Sequence, residues 1–120
     1  MKSVLVVDDN DLVRNLIVTI LEDSGITVIT AASGKEAIRL AASEKQTIGC
    51  VLQDLSMPLM SGEEVVAALL EMDPTLPIII LSVDDPSYSA TRLSGLDVAG
   101  YVQKPFDAVS LVSKVREFIQ

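Results

Sequence analysis

Short apolar runs alternate along this chain with longer stretches in which apolar side chains recur every three or four positions. The runs fall at 3–8, 27–31, 48–54, 77–82 and 99–103, each the length of a β-strand. Between and after them, helical spacing predicts helices at 11–23, 34–44, 62–72, 86–95 and 107–119. In the last of these, Ala108, Leu111, Val112, Val115, Phe118 and Ile119 share one helical face and form a core-facing stripe. Five strand–helix units in strict alternation predict an α/β domain on a parallel sheet.

The helix starts carry matching local chemistry. Ser33 with Glu36, and Ser61 with Glu64, have the spacing of a capping box. Asp85-Pro86 offers an N-cap followed by a first-turn proline, and Asp107 can cap the last helix. The first, third and fourth strands are almost continuously apolar, as strands covered on both faces must be. The second, Thr27-Val28-Ile29-Thr30, and the fifth, Gly100-Tyr101-Val102-Gln103, are more polar and suit sheet edges. That distribution favours a doubly wound five-stranded sheet of order 2-1-3-4-5 with helices on both faces. A simple 1-2-3-4-5 order would leave the apolar first strand at an edge.

Composition narrows the function. The chain has 120 residues, 49% of them apolar and 22% charged, which suits one compact domain over 1–120. No apolar run approaches the roughly 20 residues of a membrane span. The apolar run at 4–7 is too short for a secretory signal, so a cytoplasmic protein is expected. A net charge of −8 disfavours direct contact with nucleic acid. The one cysteine, Cys50, lies in an apolar strand and reads as a buried thiol. Histidine is absent, which excludes Ser-His-Asp and Cys-His catalysis, ordinary zinc sites and a phosphohistidine on this chain.

Polar residues cluster at the carboxyl ends of the strands. Asp8-Asp9 follows the first, Asp54 ends the third, Ser82 ends the fourth and Lys104 follows the fifth. In open α/β sheets ligands bind at this rim, where strand order reverses. With order 2-1-3-4-5 that point lies between strands one and three, so Asp8, Asp9 and Asp54 are expected to converge. Gathered carboxylates repel one another, and a hard divalent cation such as Mg²⁺ relieves the repulsion while leaving room for phosphate oxygens. A carboxylate beside such a cation can act as a nucleophile toward phosphorus. Lys104 is placed to stabilise the transferred oxygens, and the Ser82 hydroxyl to donate to them. Taken singly, these residues have plainer readings as turn aspartates, a loop hydroxyl, a surface lysine and, for Tyr101, an edge-strand aromatic. The functional reading rests on their joint placement.

The ordered blocks Val4-Leu5-Val6-Val7-Asp8-Asp9, Asp54-Leu55-Ser56-Met57-Pro58 with Gly62, Ile79-Ile80-Leu81-Ser82 and Tyr101-Val102-Gln103-Lys104-Pro105-Phe106 resemble the receiver domains of two-component response regulators. The resemblance covers the whole chain and implies a CheY-like fold. It also implies Asp54 as phosphoacceptor, and Asp8, Asp9, Asp54 and the backbone carbonyl of Ser56 as ligands of Mg²⁺. Ser82 and Lys104 would contact the phosphoryl group, Ser82 and Tyr101 would form the switch, and Lys104-Pro105 would be cis. The implied partners are a histidine kinase or phosphotransfer protein and a downstream protein target or covalently linked output domain, acting through a surface of the fourth helix, fifth strand and fifth helix. Direct nucleic-acid or membrane binding is not implied; a homodimer is possible. The expected activity is phosphorelay signal transduction by self-catalysed phosphoryl acceptance and loss, not enzymatic turnover of a separate substrate. Whether an output domain follows Gln120 is left open.

Several positions depart from the family pattern. Asp97-Val98 stands where Gly-Ala is usual; Asp tolerates a left-handed backbone, and Gly95 lies two residues earlier. Val83 replaces a small residue and is expected to narrow access to the site. Asp84 and Asp85 add negative charge, and Asp84 can either orient or repel a hydrolytic water. Gln53 in a buried strand needs a partner. A flavodoxin-like cofactor binder shares the fold, but the acidic Asp8-Asp9-Asn10-Asp11 would repel a flavin phosphate. A haloacid-dehalogenase-like phosphatase needs a second Asp after the nucleophile, where this chain has Asp54-Leu55-Ser56, and a longer chain. An inert receiver serving only as an interaction module would have to explain why every phosphorylation residue is present.

Overall fold

The computed structural model describes residues 2–57 and 59–119. Five strands alternate with five helices: β1 Ser3–Val7, α1 Asp11–Asp23, β2 Val28–Ala31, α2 Gly34–Ser43, β3 Ile48–Asp54, α3 Gly62–Met72, β4 Ile78–Ser82, α4 Pro86–Arg92, β5 Gly100–Gln103 and α5 Ala108–Ile119. The strands pair in parallel in the order β2-β1-β3-β4-β5. The polar strands β2 and β5 stand at the edges, as their composition requires.

Side chains alternate across the sheet and build two cores. Val4 and Val6 of β1, Cys50 and Leu52 of β3, and Ile79 and Leu81 of β4 face α1 and α5, where they meet Ile17, Leu21, Leu111, Val115 and Ile119. Leu5, Val7, Val51, Ile78 and Ile80 face the other way and pack on Ala37 and Ala41 of α2, Val65, Val66 and Leu69 of α3, and Leu93 just after α4. Burying a strand on both faces stabilises it by roughly 25 cal/mol per Å² of apolar surface removed from water. That explains why the central strands are almost continuously apolar rather than apolar at alternate positions.

Most element ends fall within a residue of those read from the sequence. The exception is α4, which stops at Arg92 rather than 95. Its C-cap is Leu93, and Gly95 follows with φ of 87°. Gly95 therefore supplies the left-handed residue of this turn. Asp97 has no positive φ, so its tolerance of that conformation is not needed. Ser61 and Glu64 form the full capping box. The Ser33 box is only half formed: its hydroxyl accepts the Glu36 N–H, but the Glu36 carboxylate reaches past Ser33 to the Ala32 N–H at 2.9 Å. Asp85 caps α4, and Asp107 accepts the Ser110 N–H at the start of α5.

Candidate functional site

Strand register assembles the site. Val7 pairs with Gln53, so the residues that follow each of them, Asp8 and Asp54, emerge side by side at the carboxyl rim. On the other side of β3, Asp54 pairs with Leu81 and Ser82 with Gln103. The Lys104 N–H donates to the Ser82 carbonyl at 2.7 Å, which extends the ladder by one residue and aims the lysine over the rim. The Lys104-Pro105 bond is cis.

Carboxylate oxygens of Asp8, Asp9 and Asp54 lie within 4.8 Å of one another. Asp8 and Asp54 are buried, while Asp9 is exposed. Lys104 Nζ stands 3.3 Å from Asp8 Oδ2 and 3.2 Å from Asp54 Oδ1. Two backbone donors add to this: Asn10 N–H to Asp8 Oδ1 at 2.9 Å and Ser56 N–H to Asp54 Oδ1 at 3.3 Å. Burial pushes the Asp54 carboxyl up from its ordinary value, and the charge of Asp8 pushes it the same way. Lys104 and the Ser56 N–H pull it down without cancelling the rise. Three carboxylates thus face one ammonium. The cluster is all-oxygen and net negative, the donor set a hard divalent cation takes.

The cluster floors an open cleft of about 620 Å³ whose walls include Asn10, Leu12, Ser56 and Val83. Val83 is 66% exposed at its edge, in the position where the sequence expects it to restrict access. A separate hollow of about 310 Å³ between α2 and α3, lined by Ala41, Leu69 and Met72, contains none of the residues singled out from sequence.

Ser82 and Tyr101 are not among the residues lining the cleft. The Ser82 hydroxyl is engaged by its own loop, donating to Asp84 Oδ2 at 3.4 Å and accepting the Asp84 N–H at 3.1 Å. Tyr101 is half-buried and packs against the core on the α4 side of the sheet. Gln53 is fully buried and half satisfied: its amide donates to the Asp54 carbonyl at 2.8 Å, but Oε1 has no partner among the described residues. Pro58, part of the third sequence block, lies outside those residues.

Sequence reading missed two arginines. Arg14 of α1 donates to the Asp8 carbonyl at 2.8 Å and pairs with Asp11, fixing the β1–α1 loop from below. Asp11 and Arg14 lie three apart on a helix, a spacing that could have drawn notice. Arg92 of α4 pairs with Glu63 of α3 and Asp84, and nothing in the local sequence couples positions so far apart.

Cys50 is buried, and its surroundings push the thiol up to about 12, which leaves it unreactive at neutral pH. No helix among the described residues is long and apolar enough to cross a membrane.

Comparison with known proteins agrees with this geometry. A family model described as the response regulator receiver domain matches residues 4–116. The transcriptional regulatory protein PrrA of Mycobacterium tuberculosis is 38% identical over 123 residues, covering 98% of this chain and 49% of PrrA. The chain thus spans about half the length of such curated relatives. Among solved structures, a response regulator receiver domain protein from Clostridium thermocellum superposes with a TM-score of 0.89 at 27% identity, covering 99% of this chain and 94% of that one. CheY in the CheX-CheY-BeF3-Mg²⁺ complex from Borrelia burgdorferi gives 0.89 at 25% identity, covering 97% and 87%. With its five parallel strands in the order 2-1-3-4-5 and its acidic rim, the chain belongs to the response regulator receiver domain family.

Proposed function

We propose that this chain is a phosphorylation switch in two-component signalling that accepts a phosphoryl group on Asp54 in a Mg²⁺-dependent reaction. The observation that carries the reading is the convergence of Asp8, Asp9, Asp54 and Lys104 from three strand ends on one cleft. The Borrelia neighbour named above was solved with BeF3 and Mg²⁺, which supports the same chemistry here.

Asp8, Asp9, Asp54 and the Ser56 carbonyl would hold Mg²⁺, and the bound cation would supply positive charge to screen incoming phosphoryl oxygens. An Asp54 carboxylate oxygen attacks phosphorus, and the bond from phosphorus to the donor's imidazole nitrogen breaks with its electron pair leaving on that nitrogen. Lys104, already 3.2 Å from Asp54, turns its ammonium to a phosphoryl oxygen. Attack of water on phosphorus later returns Asp54 and inorganic phosphate. The chain is itself the acceptor and turns over no separate substrate.

The donor is a protein, a histidine kinase or phosphotransfer protein, because the cleft is bordered by exposed apolar surface. Leu12 and Leu16, one turn apart on α1, are 82% and 54% exposed, and Leu12 and Val83 both line the opening. Phosphorylation adds about −1.5 to −2 charge. Ser82 is drawn toward the new oxygens, Tyr101 moves into the space it vacates, and the α4–β5–α5 surface changes for a downstream protein or a covalently linked output domain. A cytoplasmic setting follows from such a donor.

The test is mass spectrometry after incubation with acetyl phosphate and Mg²⁺. One phosphoryl group is expected on the native chain and none on Asp54→Ala. A folded native chain that gains nothing, or a variant that gains as much, ends the proposal and leaves an inert interaction module.

A further inference from the structure

Arg92 makes the most elaborate side-chain pairing outside the acid cluster. Its Nε donates to Glu63 Oε2 and its Nη2 to Glu63 Oε1, each at 3.0 Å, so the guanidinium grips that carboxylate by two parallel bonds. This fork fixes the plane of the group and is the geometry in which a partly exposed ion pair is worth most. The remaining nitrogen, Nη1, lies 3.5 Å from Asp84 Oδ2. That same oxygen accepts the Ser82 hydroxyl at 3.4 Å, while Asp84 N–H donates back to Ser82 Oγ at 3.1 Å. A continuous line of contacts therefore runs from α3 through α4 to the loop after β4, and ends on Ser82.

A serine hydroxyl has one proton to give. While that proton is directed at Asp84, it cannot be given to a phosphoryl oxygen on Asp54. Asp84 sits on a loop and is about one-third exposed, so its side chain would sample several rotamers if left alone. Arg92 selects one of them, and Glu63 holds Arg92 in place.

We infer that Arg92 is a positioning residue for Ser82: by anchoring Asp84, it keeps the serine hydroxyl turned from the phosphoryl site and sets how readily the switch closes. The inference rests on the function proposed above. It identifies the brake on that switch as an ion pair between α3 and α4. Removing Arg92 frees Asp84 to turn to solvent and releases Ser82, so the closed arrangement becomes easier to reach.

The test uses beryllofluoride with Mg²⁺ as a phosphoryl mimic, followed by NMR of the Ser82 and Tyr101 amides. Arg92→Gln is expected to tighten apparent beryllofluoride affinity by about three- to tenfold, within the span of mutations that modulate coupling without touching the ligand. Glu63→Gln, which leaves Arg92 without its fork, shifts affinity in the same direction by less. In an Asp84→Asn background Arg92→Gln adds nothing, a loss of additivity that mere loosening of α4 would not produce. Native binding with no change in Arg92→Gln, or an equal change in the Asp84→Asn background, overturns the inference and leaves the proposed function standing. Failure of the folded native chain to bind beryllofluoride overturns both.

Discussion

Lys104 Nζ lies 3.2 Å from Asp54 Oδ1, across 50 positions of sequence, and its 3.3 Å contact with Asp8 Oδ2 makes it the ammonium between two buried carboxylates. Replacing it leaves those acids facing each other without compensation. Lys104→Ala should lower unfolding free energy at neutral pH by about 1–3 kcal/mol. Millimolar Mg²⁺ should restore more stability to the variant than it adds to the native chain, because the cation takes over the missing charge. Urea titrations with and without Mg²⁺ measure both effects; an Mg²⁺ response of equal size in the two proteins would contradict the shared role.

Gly62 opens α3 directly against the end of β3. A Cβ built there would meet Leu55 Cα at 2.5 Å and the Asp54 carbonyl oxygen at 2.6 Å, both backbone atoms with little room to yield. Gly62→Ala should therefore cost about 1–3 kcal/mol through overpacking. It should also displace the Leu55 amide resonance, since the obstructed Asp54 carbonyl shares that peptide group. A variant as stable as the native chain would mean that α3 can slide away from β3 freely.

Asp107 accepts the Ser110 N–H at 2.7 Å and the Ser110 hydroxyl at 3.0 Å, and these two donors hold its carboxyl below the ordinary range. A carboxyl depressed in the folded state binds fewer protons there than in the unfolded chain. Its stabilising contribution is therefore complete above the unfolded value of about 3.9 and disappears as pH falls through the lower folded value. Asp107→Asn keeps a capping oxygen but removes the titration. Between about pH 5 and pH 2 its unfolding midpoint should fall less steeply than that of the native chain. Parallel acid limbs would show that the cap does not titrate with folding.

Leu59 is fully exposed and has φ of 67°, the left-handed region that a branched-chain residue enters at a cost. Asn adopts this conformation more easily and loses no packing at an exposed site. Leu59→Asn should raise stability by about 0.5–1 kcal/mol, seen as a higher urea midpoint with an unchanged slope.

The layout of strands and helices was legible because the central strands are almost continuously apolar and the last four helices carry start signals at Ser33, Ser61, Asp85 and Asp107. Asp8, Asp9, Asp54 and Lys104 were legible for a related reason: strand order alone dictates which strand ends are neighbours. What escaped was set by contacts without a local signature. Nothing near Arg92 announces that it will reach Glu63, 29 positions away, or that Asp84 will occupy the Ser82 hydroxyl. The end of α4 was misplaced because its helical pattern continues to Gly95, whereas Leu93 buries its side chain in the core and turns the chain first. The need of Gln53 for a partner was correctly expected, yet only its donor is met.

Parallel pairing sends all five strands the same way, so each groove of chemistry at one end has a counterpart at the other made only of connections. The turns at 24–27, 44–47, 73–77 and 93–99 all sit at that far end. Lengthening or recolouring them changes what the molecule presents to its surroundings without moving the acids. One end of the open sheet can therefore stay fixed across a lineage while the other diversifies.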